Sequence, residues 1–279
     1  MPIKIAKTAG FCYGVRRAVN EVYDRAGKNE KIATLGALIH NDSVVEDLKK
    51  KGVAVYESVE EVPDGTTLVI RTHGVGKNIY DKIEQRGLEY VNLTCPFVEK
   101  IHNIVKEHYN KGYQIVIIGD KNHPEVRGIN GWCEESAVVL YADTDEIPQK
   151  LEKMPVCIVA QTTINKNIFV QKVQILKNTC QTPIIFDTIC SATKDRQAEA
   201  EELASESDLM LVIGGKKSSN TKKLFEISKK HCPDTYFIEN FEDIPQNIFL
   251  KNKKIGITAG ASTPGGIIEE VFTTMDEKM

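Results

Sequence analysis

No run of this sequence reaches the ~18 apolar residues that a membrane helix requires, and its opening residues, MPIKIAKTAGFCYGV, lack the apolar core of a secretion signal. A cytoplasmic protein without a membrane partner is therefore expected. A strong excess of one charge is missing as well: 36 Lys and Arg stand against 39 Asp and Glu, a formal charge of -3. Sequence-independent nucleic-acid binders carry a marked basic excess, so nucleic acid is not an expected partner. Neither GxxxxGKS/T nor GxGxxG occurs, which disfavours nucleotide binding. The seven cysteines include no CxxC pair, the unit of zinc knuckles and clustered ferredoxin sites. Odd in number and widely dispersed, they do not suggest a disulfide framework either. No Pro/Gly/Ser-rich linker interrupts the chain, so any domain boundaries are soft.

What is present is a globular composition, 41% hydrophobic and 27% charged. The 279 residues suffice for roughly two domains or three small units. Apolar runs of strand length alternate with longer amphipathic stretches, as in KIATLG followed by SVVEDLKKKG. This is a βα pattern that implies mainly parallel sheets.

Three cysteines stand apart from the other four. Cys12, Cys95 and Cys190 divide the chain into near-equal thirds, in IKIAKTAGFCYGVRR, EYVNLTCPFVEKI and IIFDTICSATKDR. Each sits where a short apolar run gives way to a helix-like stretch. A helix amino terminus favours a thiolate, because unpaired N–H groups and the macrodipole stabilise negative charge there. The thiolate is also the form that binds metal, so a shared metal site is expected. Cys157, in PVCIVA, reads instead as a small buried hydrophobe. Cys133, Cys180 and Cys232 lack the matching context.

Two further loop types recur three times. The first follows a glycine-ended strand: LGALIHN, IGDKNHPE and IGGKKSSN. The second comprises VIRTHGVG, IVAQTTIN and GITAGASTPGG. With the cysteine loop as the third type, their order is the same in every third once the amino-terminal strand is assigned to the last unit. Ligands of parallel sheets bind beyond the strands' carboxyl ends, where all nine loops fall. The expected fold is α/β: three small units with mainly parallel sheets in a pseudo-threefold trefoil, with boundaries at 13–95, 96–189, and 190–279 plus 1–12. Three cysteines at such a centre could hold zinc with an exchangeable ligand, or a 4Fe-4S cluster with one iron lacking a protein ligand.

The set AGFCYGVRRAV, THGVG, TCP, HPEVRG, QTT, DTICSATKDRQ, GGKKSSN and TAGAS resembles the 4-hydroxy-3-methylbut-2-enyl diphosphate reductase (IspH/LytB) family, in family order and over essentially the whole chain. The resemblance implies one central 4Fe-4S cluster held by Cys12, Cys95 and Cys190, with the substrate's C4 oxygen on the open iron. It implies a two-electron, two-proton reductive dehydroxylation of an allylic diphosphate to isopentenyl and dimethylallyl diphosphates, the last step of the methylerythritol phosphate route. A reduced ferredoxin or flavodoxin is the implied electron donor. His40 and His73 would bind the diphosphate, with Ser218, Ser219, Asn220 and Ser262 completing the anion site. His123 and Glu125 fall in the proton-delivery segment, and Thr162 would lie beside the reacting hydroxyl.

Chemistry supports these assignments residue by residue. A carboxyl partly removed from water has a raised pKa and can protonate a departing hydroxyl near neutral pH, so Glu125 is the natural proton donor. His40, His73 and His123 lie in repeat loops, whereas His102, His108 and His231 are expected to be structural or solvated. GGKKSSNTKK reads as a strand, a tight turn and a helix start, so N–H groups and serine hydroxyls could meet phosphate there or simply cap the helix. Lys216 and Lys217 could bind phosphate or stay in water. A non-redox hydro-lyase and a non-catalytic iron–sulfur sensor are the competing functions.

Overall fold

The computed structural model describes residues 3–28, 30–141, 145–245 and 253–278. The first third carries β1 (Ile3–Ile5), α1 (Tyr13–Gly27), β2 (Ile32–Leu35), α2 (Asp42–Lys50), β3 (Ala54–Tyr56), β4 (Thr67–Ile70), α3 (Lys77–Gln85) and β5 (Tyr90–Asn92). Next come α4 (Pro96–Asn110), β6 (Gln114–Ile118), α5 (Pro124–Asn130), β7 (Val138–Leu140), β8 (Val156–Ala160), α6 (Lys166–Thr179) and β9 (Ile184–Ile185). The last third holds α7 (Ser191–Ser205), β10 (Leu209–Ile213), α8 (Ser219–His231), β11 (Thr235–Ile238), β12 (Ile255–Ala259) and α9 (Gly265–Lys278).

The strands form three four-stranded sheets, and every pairing is parallel. Their orders are β3-β2-β4-β5, β7-β6-β8-β9 and, read from the other edge, β11-β10-β12-β1. Numbered within each sheet, all three run second, first, third, fourth, with β1 in fourth place in the last. The cyclic order expected from the loops is thus the order of the strands. Ile3 is in register with Ile255 across 252 residues of chain.

Parallel strands covered by helices on both faces must be apolar on both faces, which is why these segments read as unbroken apolar runs. In β6, Ile115 and Ile117 pack with Ile101 and Val105 of α4 and Val126 and Ile129 of α5. Val116 and Ile118 point the other way, toward Phe169 and Leu176 of α6. β10 repeats the scheme: Leu209, Leu211 and Ile213 meet Ile268, Val271 and Met275 of α9, while Met210 meets Leu203 and Ala204 of α7. The helices match their strands with apolar residues three or four apart, as in Ala18, Val22 and Ala26 of α1.

By compactness the chain divides into two units. One comprises residues 1–16, 39–47 and 191–279 and holds the sheet of β1, β10, β11 and β12. The other comprises 17–38 and 48–190 and holds the remaining two sheets. No helix among the described residues is long and apolar enough to cross a membrane.

Ile117 is completely buried at the middle of β6. Ile117→Ala removes its side chain from a closed layer and should lower stability by about 2–5 kcal/mol, read as a fall in the denaturant midpoint of the second unit. A loss under ~1 kcal/mol would show that the layer is not packed as described.

Candidate active site

One backbone hydrogen bond occurs three times. The N–H of Cys12 donates to Ala261 O at 3.1 Å, that of Cys95 to Thr72 O at 3.0 Å, and that of Cys190 to Thr162 O at 3.1 Å. Each acceptor lies two residues beyond the third strand of its sheet, β12, β4 or β8. Each cysteine immediately precedes a helix, α1, α4 or α7, and Cys95 is the N-cap of α4, followed by Pro96 at the first helical position. Two buried or half-buried arginines steady these loops: Arg196 Nη2 donates to Gly10 O at 2.7 Å, and Arg17 Nη2 to Thr94 O at 2.5 Å. The sequence patterns did not mark either arginine. These three cysteines are partly exposed, whereas Cys133, Cys157, Cys180 and Cys232 are buried; the sequence context suggested burial for Cys157 alone. Burial pushes the Cys157 thiol up to about 12 and the Cys133 thiol up to about 11, values that suit inert core residues.

The second unit holds a buried acid. Glu125, only 2% exposed, accepts hydrogen bonds from both the N–H and the hydroxyl of Thr162, each at 2.6 Å. Burial pushes its pKa up to about 7, against the two Thr162 bonds, which favour the carboxylate. His123 is the N-cap of α5, and its Nδ1 accepts from the Glu125 N–H at 3.2 Å. In neutral His123 that bond puts the proton on Nε2. The His73 ring lies edge-on to His123, with centroids 5.5 Å apart. Thr162 therefore links two functions, because its carbonyl holds Cys190 while its N–H and hydroxyl hold Glu125. In the repeat it corresponds to Thr72 rather than to His73.

The first unit gathers the small polar loops. His40, in the segment assigned to this unit, accepts at its carbonyl from Ser262 Oγ at 3.2 Å. A Cβ on Gly215 would lie 2.6 Å from that same carbonyl, so only glycine permits the approach. Ser218 caps α8, accepting from Thr221 N–H at 3.3 Å, and Ser219 and Asn220 open that helix. The Asn220 side chain is buried, yet neither its oxygen nor its nitrogen has a hydrogen-bond partner in the protein. An orphaned buried amide at a helix amino terminus is a site awaiting a polar ligand. Lys217 pairs with Asp42 at 3.0 Å and Lys216 with Glu239 at 3.6 Å, so both exposed lysines are engaged by carboxylates. His40, His123 and Ser218 are repeat equivalents, each five residues past the end of β2, β6 or β10.

The other histidines behave as expected from sequence. His102 and His108 are buried in the second unit, His108 Nδ1 pairing with Ile104 O at 2.8 Å, and His231 lies beside Glu201 and Ser205.

The profile of the family described as LytB protein matches residues 3–276. The chain belongs to the LytB family. A LytB relative from Thermoanaerobacter sp. (strain X514), named 4-hydroxy-3-methylbut-2-enyl diphosphate reductase, is 47% identical over 278 residues, covering 98% of this chain and 96% of its own. The relative of the same name from Clostridioides difficile (strain 630) is 47% identical over 280 residues, with 99% of each chain covered. A solved structure of (E)-4-hydroxy-3-methyl-but-2-enyl diphosphate reductase, the terminal enzyme of the non-mevalonate pathway, is 40% identical over 99% of each chain, with a TM-score of 0.73. A solved structure of the E-1-hydroxy-2-methyl-but-2-enyl-4-diphosphate reductase from Plasmodium falciparum is 29% identical with a TM-score of 0.88, covering 99% of this chain and 87% of its own.

Two measurements follow from this arrangement. An acid with a raised folded-state pKa keeps its proton after the unfolded chain has released it, so the contribution of Glu125 to stability is full below the ordinary value of 4.5 and is lost as pH climbs to about 7. Across that window the wild type should lose up to about 3 kcal/mol that Glu125→Gln keeps. Parallel pH profiles of thermal midpoint would contradict the burial of an ionisable carboxyl. In native metal-free protein, Cys12, Cys95 and Cys190 should react quickly with a thiol reagent while four cysteines wait for unfolding. A fast count other than three would overturn the division of the cysteines.

Proposed function

We propose that this chain reduces 4-hydroxy-3-methylbut-2-enyl diphosphate to isopentenyl and dimethylallyl diphosphates, the final step of the methylerythritol phosphate route. Family membership sets the reaction class, and one observation carries the catalytic reading: a carboxyl almost closed to water, with a pKa near 7, on the Thr162 hydroxyl. The reaction takes two electrons and two protons. One proton leaves with the hydroxyl as water, the electron pair stays with the allylic carbon skeleton, and the second proton completes the product.

Cys12, Cys95 and Cys190 suit a resident cluster: they are the partly exposed thiols, each at a helix start and each fixed through its own N–H. We assign to them one 4Fe-4S cluster with one open iron, which when bound supplies electrons and a Lewis-acid position. A reduced ferredoxin or flavodoxin is the proposed donor. The α/β units 13–95, 96–189, and 190–279 with 1–12 each contain one of the sheets, and we propose them as the structural repeats of the enzyme.

The protein's own groups divide the remaining work. Glu125 holds the proton given to the leaving hydroxyl, and the Thr162 hydroxyl, donating to its carboxyl, keeps that carboxyl oriented. His123, with Nδ1 occupied by the Glu125 N–H, presents Nε2–H to the substrate. The open hydrogen-bonding capacity of Asn220, at the amino terminus of α8 with Ser218 and Ser219, suits diphosphate oxygens. His40, His73 and Ser262 are assigned to the same anion. With the protein in the cytoplasm, the pathway's soluble intermediate reaches it directly.

Anaerobic turnover of the substrate by reconstituted protein with a reduced one-electron donor tests the reading, with both five-carbon diphosphates separated and iron counted in the same sample. Formation of both products is expected. Glu125→Gln should retain iron and bind substrate while losing roughly 10²–10⁴-fold in turnover. Loaded protein that forms neither product would move the function to a hydro-lyase or a sensor.

A further inference from the structure

Two arginines face a cavity that the assigned chemistry leaves unused. Within the second unit, Arg71 and Arg127 line a cavity of about 200 Å³ whose walls include Gly36, Gly74, Val75 and Gly128. Among the described residues, no hydrogen bond or ion pair ties down either guanidinium, and Arg71 Nε is buried without a partner. A guanidinium carries five donors in a rigid fork, so one withdrawn from water without acceptors is costly. Desolvation accordingly lowers the Arg71 pKa, with the Glu57 carboxylate opposing and Arg127 adding to the effect.

The fold commits space to this arrangement. Gly36 has φ +68°, and a Cβ there would collide with the Arg71 guanidinium, so the turn after β2 is glycine where the arginine passes. Glu57 and Glu135 border the same cavity without forming an ion pair to either arginine within 4.0 Å. One guanidinium with a buried, unpartnered Nε and a second, exposed one lining the same cavity offer the forked donors that suit a tetrahedral oxyanion.

We infer that Arg71 and Arg127 form an anion site within the second unit, built from residues not assigned to the diphosphate, that binds a phosphate group. The inference does not depend on the reductase reading, since it stands on the arginines alone. Its position gives it reach. Arg71 lies two residues before His73, Arg127 two residues after Glu125, and the cavity walls belong to the loop and helix that carry those groups. The only tryptophan of the chain, Trp132, donates from Nε1 to Val75 O at 3.0 Å, so a change in that wall is reported by its emission.

Equilibrium dialysis of labelled inorganic phosphate against the holoenzyme at fixed ionic strength, with Trp132 fluorescence read in parallel, tests this site. Arg127 is exposed, so Arg127→Gln should fold normally; it should weaken one phosphate site at least tenfold and abolish the associated emission change, with Arg127→Lys intermediate. Arg71→Met should remove the same site, and turnover without phosphate should stay within twofold in the Arg127 variants. If inorganic diphosphate binds this site more than tenfold tighter than phosphate, the natural ligand is the phosphoryl end of a larger metabolite; if not, it is free phosphate. Phosphate binding unchanged in Arg127→Gln, or phosphate held no more tightly than chloride at equal ionic strength, would overturn the inference.

Discussion

The architecture rests on a single backbone hydrogen bond repeated three times, from each of Cys12, Cys95 and Cys190 to a carbonyl just beyond the third strand of its sheet. This bond joins two loops that are distant in sequence but neighbours at the carboxyl edge of one sheet. Parallel order makes it possible, because it delivers both loops to the same edge. Once a cysteine amide is spent in this way, the chain fixes where its Cβ sits and leaves the thiol only the choice of χ1. The helix that follows then adds the favourable field of its amino terminus.

Such a frame places small polar groups without dedicated scaffolding. The residue after each first strand is a glycine, and the fifth residue is His40, His123 or Ser218, so one loop length serves an imidazole and a hydroxyl alike. Diversity is introduced where the frame tolerates it. The buried Glu125 occupies in one repeat the place that Asp42 and Asn220 hold in the others; burial separates the two carboxyls, and the buried Asn220 puts an amide there instead. Asp42 is exposed and paired with Lys217, while Glu125 is enclosed and proton-holding near neutrality.

Much of this was legible in the sequence because it depends on local signals. Unbroken apolar runs announced parallel strands, and the three loop types announced their cyclic order, down to the placement of β1. The burial of Cys157 also followed from context, since it sits in the middle of an apolar run, whereas that of Cys133, Cys180 and Cys232, at connections and helix ends, did not. Long-range choices were not legible. Nothing near Arg196 or Arg17 in sequence reveals that each holds the carbonyl of a distant cysteine loop. The dual grip of Thr162 on Glu125 and Cys190 arises from strand adjacency, and a serine- or threonine-containing loop alone does not encode it. The pairing of Lys217 with Asp42 likewise required knowing which loops lie together, and so did the grouping of residues 39–47 with the last part of the chain.

The fourth place of β1 has a consequence for how the protein is made. Its partner β12 emerges some 250 residues later. At roughly 5–20 residues per second of synthesis, the segment bearing Cys12 waits on the order of 10–50 seconds on the ribosome without its sheet. The other two sheets draw on consecutive chain and can form while translation continues. Of these three cysteines the first translated is therefore the last to be seated, so any metallocentre that needs all three is completed only after β12 has been made.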